Sequence, residues 1–195
     1  MSIPISPENM PRSASACWRF IGHLVLRILG WQVEGDLPNY KKAILIVAPH
    51  TSNWDFVIGM AAKMAIGVKA NWLGKAAIFV GPAASMFKSW GGIPVARDDA
   101  HNLVSSVVSE FQKREKMWLG LSPEGTRTHV EEWKSGFWHI AKAAELPIQT
   151  VVFDYSRRML VIGQVFMTTG DKATDVAAIR AYFAEVGNGK IPSGE

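Results

Sequence analysis

From Ala43 to Glu185, strand-like and helix-like stretches alternate, and this alternation restricts the fold more than any other feature of the chain. Ala43 to Pro49 is an unbroken apolar run of strand length, the pattern of a strand buried on both faces. Phe56 to Ala65 reads as a helix, Val68 to Leu73 as a strand, Ala84 to Trp90 as a short helix, and Ile93 to Ala96 as a short strand. Pro94 assigns that last strand to an edge or a strand end, because proline cannot donate to a ladder. His101 to Arg114 gathers Leu103, Val104, Val107, Val108 and Phe111 on one helical face. Met117 to Leu121 (strand), Gly136 to Ala144 (helix), Ile148 to Tyr155 and Met159 to Phe166 (strands) and Ala173 to Glu185 (helix) complete the series. The order predicts an α/β fold, a mixed and mostly parallel sheet covered by helices on both faces and preceded by an N-terminal amphipathic helix. Residues 1–34 are expected to form a tail and that helix, 35–186 the α/β domain, and 187–195 a Gly- and Pro-rich tail.

Composition narrows the partners. With 195 residues, 48% of them hydrophobic, the chain can bury a sizeable core as one domain. A net charge of +4 suits anionic lipid or phosphorylated small molecules, and the basic residues are too dispersed for a nucleic-acid module. The single cysteine, Cys17, excludes an internal disulfide framework and lacks a neighbouring base to activate it. Arg12 to Gly30 reads as a helix in which Arg12, Ser15, Arg19, His23 and Arg27 share one stripe and apolar side chains cover most of the remainder. Arg19 and Arg27 interrupt what would otherwise be a marginal membrane span, so two readings stand: a helix lying in the headgroup layer, or a helix capping the domain core.

The chemistry-bearing residues fall at predicted strand ends, where sheets of this kind gather ligands. His50 follows the first apolar run and Asp55 comes five residues later. On one helix, residues five apart point about 140° from each other. The two converge only if His50 leaves a strand and Asp55 sits in the first turn of the next helix. Thr51, Ser52 and Asn53 are all good N-cap types, which supports that arrangement. An imidazole whose other nitrogen is held by a carboxylate is a general-base unit; a buried strand-end histidine beside a helix-start acid is the alternative. Ser122-Pro123-Glu124-Gly125-Thr126-Arg127 offers a close-approach glycine, backbone amides and a guanidinium suited to phosphate, or else a surface turn with a local Glu124–Arg127 ion pair. Gly91 to Arg97 places Arg97 just beyond a short strand, and Lys75 is a further cation for an anionic ligand. No Walker or dinucleotide glycine fingerprint is present, and the histidines other than His50 lack metal-ligand spacing.

Taken together, these segments resemble the glycerolipid acyltransferase family, that of the bacterial 1-acylglycerol-3-phosphate acyltransferases. The resemblance spans His50 to Asp154: the histidine–four residues–aspartate motif at His50 and Asp55, a glycine-to-arginine motif at Gly92 to Arg97, Pro-Glu-Gly-Thr-Arg at Pro123 to Arg127, and a proline-led apolar motif at Leu146 to Val152. Three positions depart from the family pattern: Ala96 where an acid is common, Thr150 where a second proline is usual, and Ser122 where an aromatic is common.

The resemblance implies transfer of a fatty acyl group from a thioester, acyl-CoA or acyl-carrier protein, to a lysophospholipid-type hydroxyl. It implies His50 as base, Asp55 as its brace, and Arg97, Arg127 and Lys75 at the acceptor phosphate. Glu124 would orient the acceptor or loop, and amides near Gly125 and Thr126 would face the oxyanion. No cofactor or metal is required. The expected location is the cytoplasmic side of the membrane, with peripheral contact through residues 12–30. A hydrolase using the same pair on water, or an inactive lipid-binding protein, are the alternatives.

Overall fold

The computed structural model describes residues 4, 7–13, 15–49, 52–95, 100–125 and 132–187, with the side chains of 100–102 left out. In chain order the elements are α1 (Ala16–Leu29), β1 (Gln32–Glu34), β2 (Lys42–Ala48), α2 (Asn53–Ile66), β3 (Ala70–Lys75), a 3-10 turn (Ala76–Phe79), α3 (Ala84–Ser89), β4 (Gly92–Val95), α4 (Ala100–Lys113), β5 (Met117–Leu121), α5 (Gly136–Ala143), β6 (Ile148–Asp154), β7 (Met159–Phe166) and α6 (Lys172–Val186). The strands form a single sheet in the order β1-β7-β6-β2-β5-β3-β4. Only β6 and β7 pair antiparallel; every other neighbouring pair is parallel. The carboxyl ends of β6, β2, β5, β3 and β4 therefore share one edge, side by side.

Two apolar clusters, one on each face, hold the helices to the sheet. Ala43, Trp118, Val151 and Phe153 face Leu26 of α1 and Ile58, Ala61, Ala62 and Ala65 of α2. On the other side Ile44, Ile46, Leu119 and Ile148 face Val107 and Phe111 of α4, Trp138 and Ile140 of α5, and Ile179 and Phe183 of α6. Every residue of β6 is buried, as its place inside the sheet requires. Ring contacts from Phe56 to Trp72, and from Trp72 to Phe79 and Phe87, tie the 3-10 turn and α3 to the α1–α2 side.

Helix α1 begins at Ser15, whose hydroxyl accepts from the Trp18 amide, and ends at Gly30 in the left-handed region (φ 70°). It lies against α2 at backbone distance: a Cβ on Gly22 would stand 2.4 Å from the Ala65 nitrogen and 2.5 Å from the Ala61 oxygen. The apolar circumference read from the sequence is thereby divided. Gly22 and Leu26 are buried, whereas Phe20 is 68% exposed, Ile28 is 72% exposed, and Leu24 is also exposed.

Further exposed apolar side chains continue on the same layer, at Trp54 and Val57 of α2, Ile78 and Val80 around the 3-10 turn, and Met86 of α3. Among the described residues, α4, α5 and α6 contribute no large exposed apolar side chain. No helix among the described residues is long and apolar enough to cross a membrane.

The structure departs from the sequence reading at several elements. The helix expected from Arg12 to Gly30 begins only at Ala16, because Arg12 bridges to Val68 and Ser15 is the N-cap, which takes Arg12 off the helical stripe. The strand expected at Val68 to Leu73 runs from Ala70 to Lys75, because Val68 bridges to Arg12 while Gly74 and Lys75 register with Pro94 and Val95. Strand β1 falls where no strand is expected, held by its parallel pairing with Met159 to Val161 of β7.

Candidate active site

Strand β2 ends at Ala48, which precedes Pro49 through a cis peptide bond. Three residues further on, Ser52 opens α2 as its N-cap, and its hydroxyl accepts from the Trp54 amide at 3.1 Å. Asp55 completes a capping box, its Oδ2 accepting from the Ser52 amide at 2.7 Å. Its Oδ1 accepts from the hydroxyl of Tyr155, the residue just beyond β6. Asp55 is 2% exposed, so this carboxylate sits beneath the strand edge with its orientation set by its own helix turn and by a neighbouring strand. A buried carboxylate held in this way can orient a hydrogen-bonded imidazole. His50 itself lies outside the described residues.

The Pro-Glu-Gly loop leaves β5, the neighbour of β2 in the sheet, from a register that pairs Ile46 with Leu121. Gly125 has φ 64°, a left-handed conformation that a side chain would strain. The Gly125 amide donates to the Ser122 carbonyl at 3.2 Å and closes the turn. Glu124 sits half-buried in the turn. Thr126 and Arg127 lie outside the described residues, as does Arg97, two residues beyond the end of β4. Lys75 ends β3, which lies on the far side of β5 from β2, and its side chain is exposed.

Two residues at this edge escape sequence reasoning. Lys134 donates its amide to the Pro123 carbonyl at 2.7 Å, and its side chain crosses Gly125: a Cβ there would lie 2.7 Å from Lys134 Cδ and 3.1 Å from Nζ. Gly125 is thus the residue that admits an ammonium group to the loop. A single lysine ahead of a helix carries no spacing to mark it. Tyr155 escapes because its tie to Asp55 spans 100 positions and exists only through the β6–β2 neighbourhood.

The chain leaving β6 is firmly fixed. Asp154 is buried and accepts from the Ser156 hydroxyl at 2.5 Å, the Arg157 amide at 3.0 Å and Arg157 Nε at 2.7 Å. Burial pushes its pKa up, but these donors and the guanidinium charge outweigh burial and bring it from 3.8 down to about 2.

The fold is similar to that of the crystal structure of the 1-acyl-sn-glycerophosphate (LPA) acyltransferase PlsC from Thermotoga maritima. The TM-score is 0.60 at 16% identity, covering 89% of this chain and 76% of that one. No curated protein sequence matches significantly. The family model described as Acyltransferase matches residues 30–154, from the end of α1 through β6 and so across each strand end described above. The chain belongs to the acyltransferase family and is an acyltransferase enzyme.

Proposed function

We propose that the protein transfers a fatty acyl group from a thioester donor, acyl-CoA or acyl-carrier protein, to the hydroxyl of a lysophospholipid-type acceptor such as 1-acylglycerol-3-phosphate. The observation that carries this reading is the placement of Asp55, buried and fixed in the first turn of α2 five residues after His50. His50 takes the proton of the acceptor hydroxyl as its oxygen attacks the thioester carbon, and Asp55 steadies the imidazolium that results. The tetrahedral intermediate collapses, the C–S bond breaks, and the departing thiolate takes the proton back from His50. Arg97 and Arg127 hold the acceptor phosphate, with Lys75 as a further cation, because charge-assisted contacts to phosphate are about twice as strong as neutral hydrogen bonds. Glu124 orients the acceptor or the loop.

Both substrates are amphiphiles, and the α1–α2–α3 layer supports their delivery from a bilayer. Its exposed side chains include Phe20, Leu24, Ile28 and Val80, and its helices carry Arg19, Arg27 and Lys88. The one acid in these helices is the buried Asp55. An apolar side chain moved fully from water into lipid contributes about 1.5–3 kcal/mol, and a cation near an anionic surface about 1 kcal/mol. Such a surface suits peripheral attachment to the cytoplasmic side of the membrane. The membrane role is tested on Leu24→Glu and Ile28→Glu rather than on a truncation, because Met10 and Leu26 belong to the core and their removal would expose it. Vesicle sedimentation unchanged by both substitutions would refute lipid docking through α1.

The function is tested with an acceptor panel against long-chain acyl-CoA and acyl-carrier donors. His50→Ala is expected to lower turnover at least about 100-fold, the contribution typical of a general base. Arg97→Ala is expected mainly to raise the acceptor KM. Thioester consumption that is equal with and without any alcohol would identify water as the acceptor instead.

A further inference from the structure

We propose that Tyr155 is a positioning residue for the catalytic pair, fixing the carboxylate of Asp55 through its hydroxyl; the inference rests on the reading of His50 and Asp55 given above. The Ser52 amide holds Asp55 Oδ2 from within the same helical turn. Held through one oxygen, a carboxylate keeps rotational freedom, and an imidazole resting on it inherits that freedom. The Tyr155 hydroxyl reaches Oδ1 from a separate element, the end of β6. That strand lies beside β2 in a register that pairs Ala48 with Val152. The plane of the carboxylate is thereby referred to the same strand pair from which the chain continues to His50.

The donor type suits the task. A lysine or arginine at this point would form an ion pair and oppose the charge that develops on the imidazole. A phenol supplies direction and no net charge, so the carboxylate keeps its full attraction for an imidazolium.

Tyr155 is itself held rigidly. Its ring meets Trp31 edge-on at 5.1 Å and 87°, and lies 6.4 Å from Phe153. Both neighbours are buried. The Trp31 amide bonds the Leu26 carbonyl across the C-cap of α1, while Asp154 staples the turn that follows β6. With the ring packed against Trp31 and Phe153, Tyr155→Phe deletes the hydroxyl and leaves the packing in place.

The test compares wild type, Tyr155→Phe, Asp55→Ala, the double variant and His50→Ala, following palmitoyl-CoA consumption with 1-acylglycerol-3-phosphate in mixed micelles. All are measured well below their unfolding midpoints. Tyr155→Phe is expected to lower kcat by about 10- to 100-fold, the loss typical when a group orienting a metal's ligand is removed, taken here as the scale for a group that orients a catalytic carboxylate. KM for both substrates stays within about twofold, the pattern of an interaction that acts in the transition state. In the Asp55→Ala background the same substitution is expected to cost nothing further, because its effect passes through Asp55. A wild-type kcat in Tyr155→Phe, or an undiminished loss in the Asp55→Ala background, overturns the proposal while His50→Ala remains inactive. Full activity of His50→Ala would overturn the site reading itself, and Tyr155's role with it.

Discussion

Replacing Gly22 with alanine sets two effects of opposite sign against each other. Alanine in a helix interior is favoured over glycine by about 1 kcal/mol. Against that, the new Cβ would stand 2.4 Å from the Ala65 nitrogen, 2.5 Å from the Ala61 oxygen and 2.9 Å from Met64 Cβ. The two closest atoms are backbone of α2, so no rotamer change relieves them; α1 must move out by roughly an ångström. A gap of about 0.5–1 Å forfeits a quarter to a half of the dispersion well for each atom pair it separates. Overpacking of this kind costs about 1–3 kcal/mol, and unyielding backbone places Gly22 at the upper end. The net expectation is a loss of about 1–2 kcal/mol, or a fall in Tm of about 2–8 °C for a chain of this size. Urea unfolding followed by circular dichroism measures it. Gly136→Ala is the control, since a Cβ there meets nothing within 4 Å and its stability should hold or rise by up to about 1 kcal/mol. If Gly22→Ala were as stable as wild type while the control behaved as expected, the backbone-to-backbone seating of α1 on α2 would be wrong.

The depressed Asp154 pKa makes a pH prediction: because the folded value lies below 3.8, its contribution is complete above that value and lost as pH falls through about 2. The shift corresponds to about 2 kcal/mol, so Asp154→Asn should lower stability near pH 6 and flatten the acid limb of an unfolding titration between about pH 4 and 2; an unaltered limb would refute it. Lys134→Ala is expected to raise the KM of the phosphate-bearing substrate about tenfold with a smaller change in kcat, and Lys134→Arg to recover part of it. Unchanged kinetics in Lys134→Ala would place that ammonium outside the substrate path. Gly163→Ala should destabilise by about 1–3 kcal/mol in urea unfolding, since its Cβ would lie 2.3 Å from the Tyr182 hydroxyl and 2.6 Å from Thr150 Oγ1.

Where the sequence speaks clearly, local pattern and tertiary demand coincide. Met117–Leu121 and Met159–Phe166 are strands over the very residues read from the chain, because their apolar content and their neighbours agree. Asp55 falls in the first turn of α2 because Ser52 supplies the cap that the sequence offers there. Strand β1 is illegible: Gln32, Val33 and Glu34 are too few and too polar to signal a strand, and only β7 makes them one. The buried face of α1 is illegible for a different reason, since docking at Gly22 depends on an absent side chain, which no hydrophobic pattern registers. Lys134 and Tyr155 join the site through a loop crossing and a strand neighbourhood, relations that arise only after the sheet is assembled.

The seating of α1 also decides what kind of amphiphile this molecule is. Leu26 is part of the interior and Gly22 abuts the next helix, so the outward row of Phe20, Leu24 and Ile28 is displayed by the architecture itself. A dangling anchor can fold back and conceal its grease; a helix mortared into the wall has no such retreat. The apolar flank is therefore displayed whenever the protein is folded, and the lipid docking proposed above would be set by mass action and surface charge.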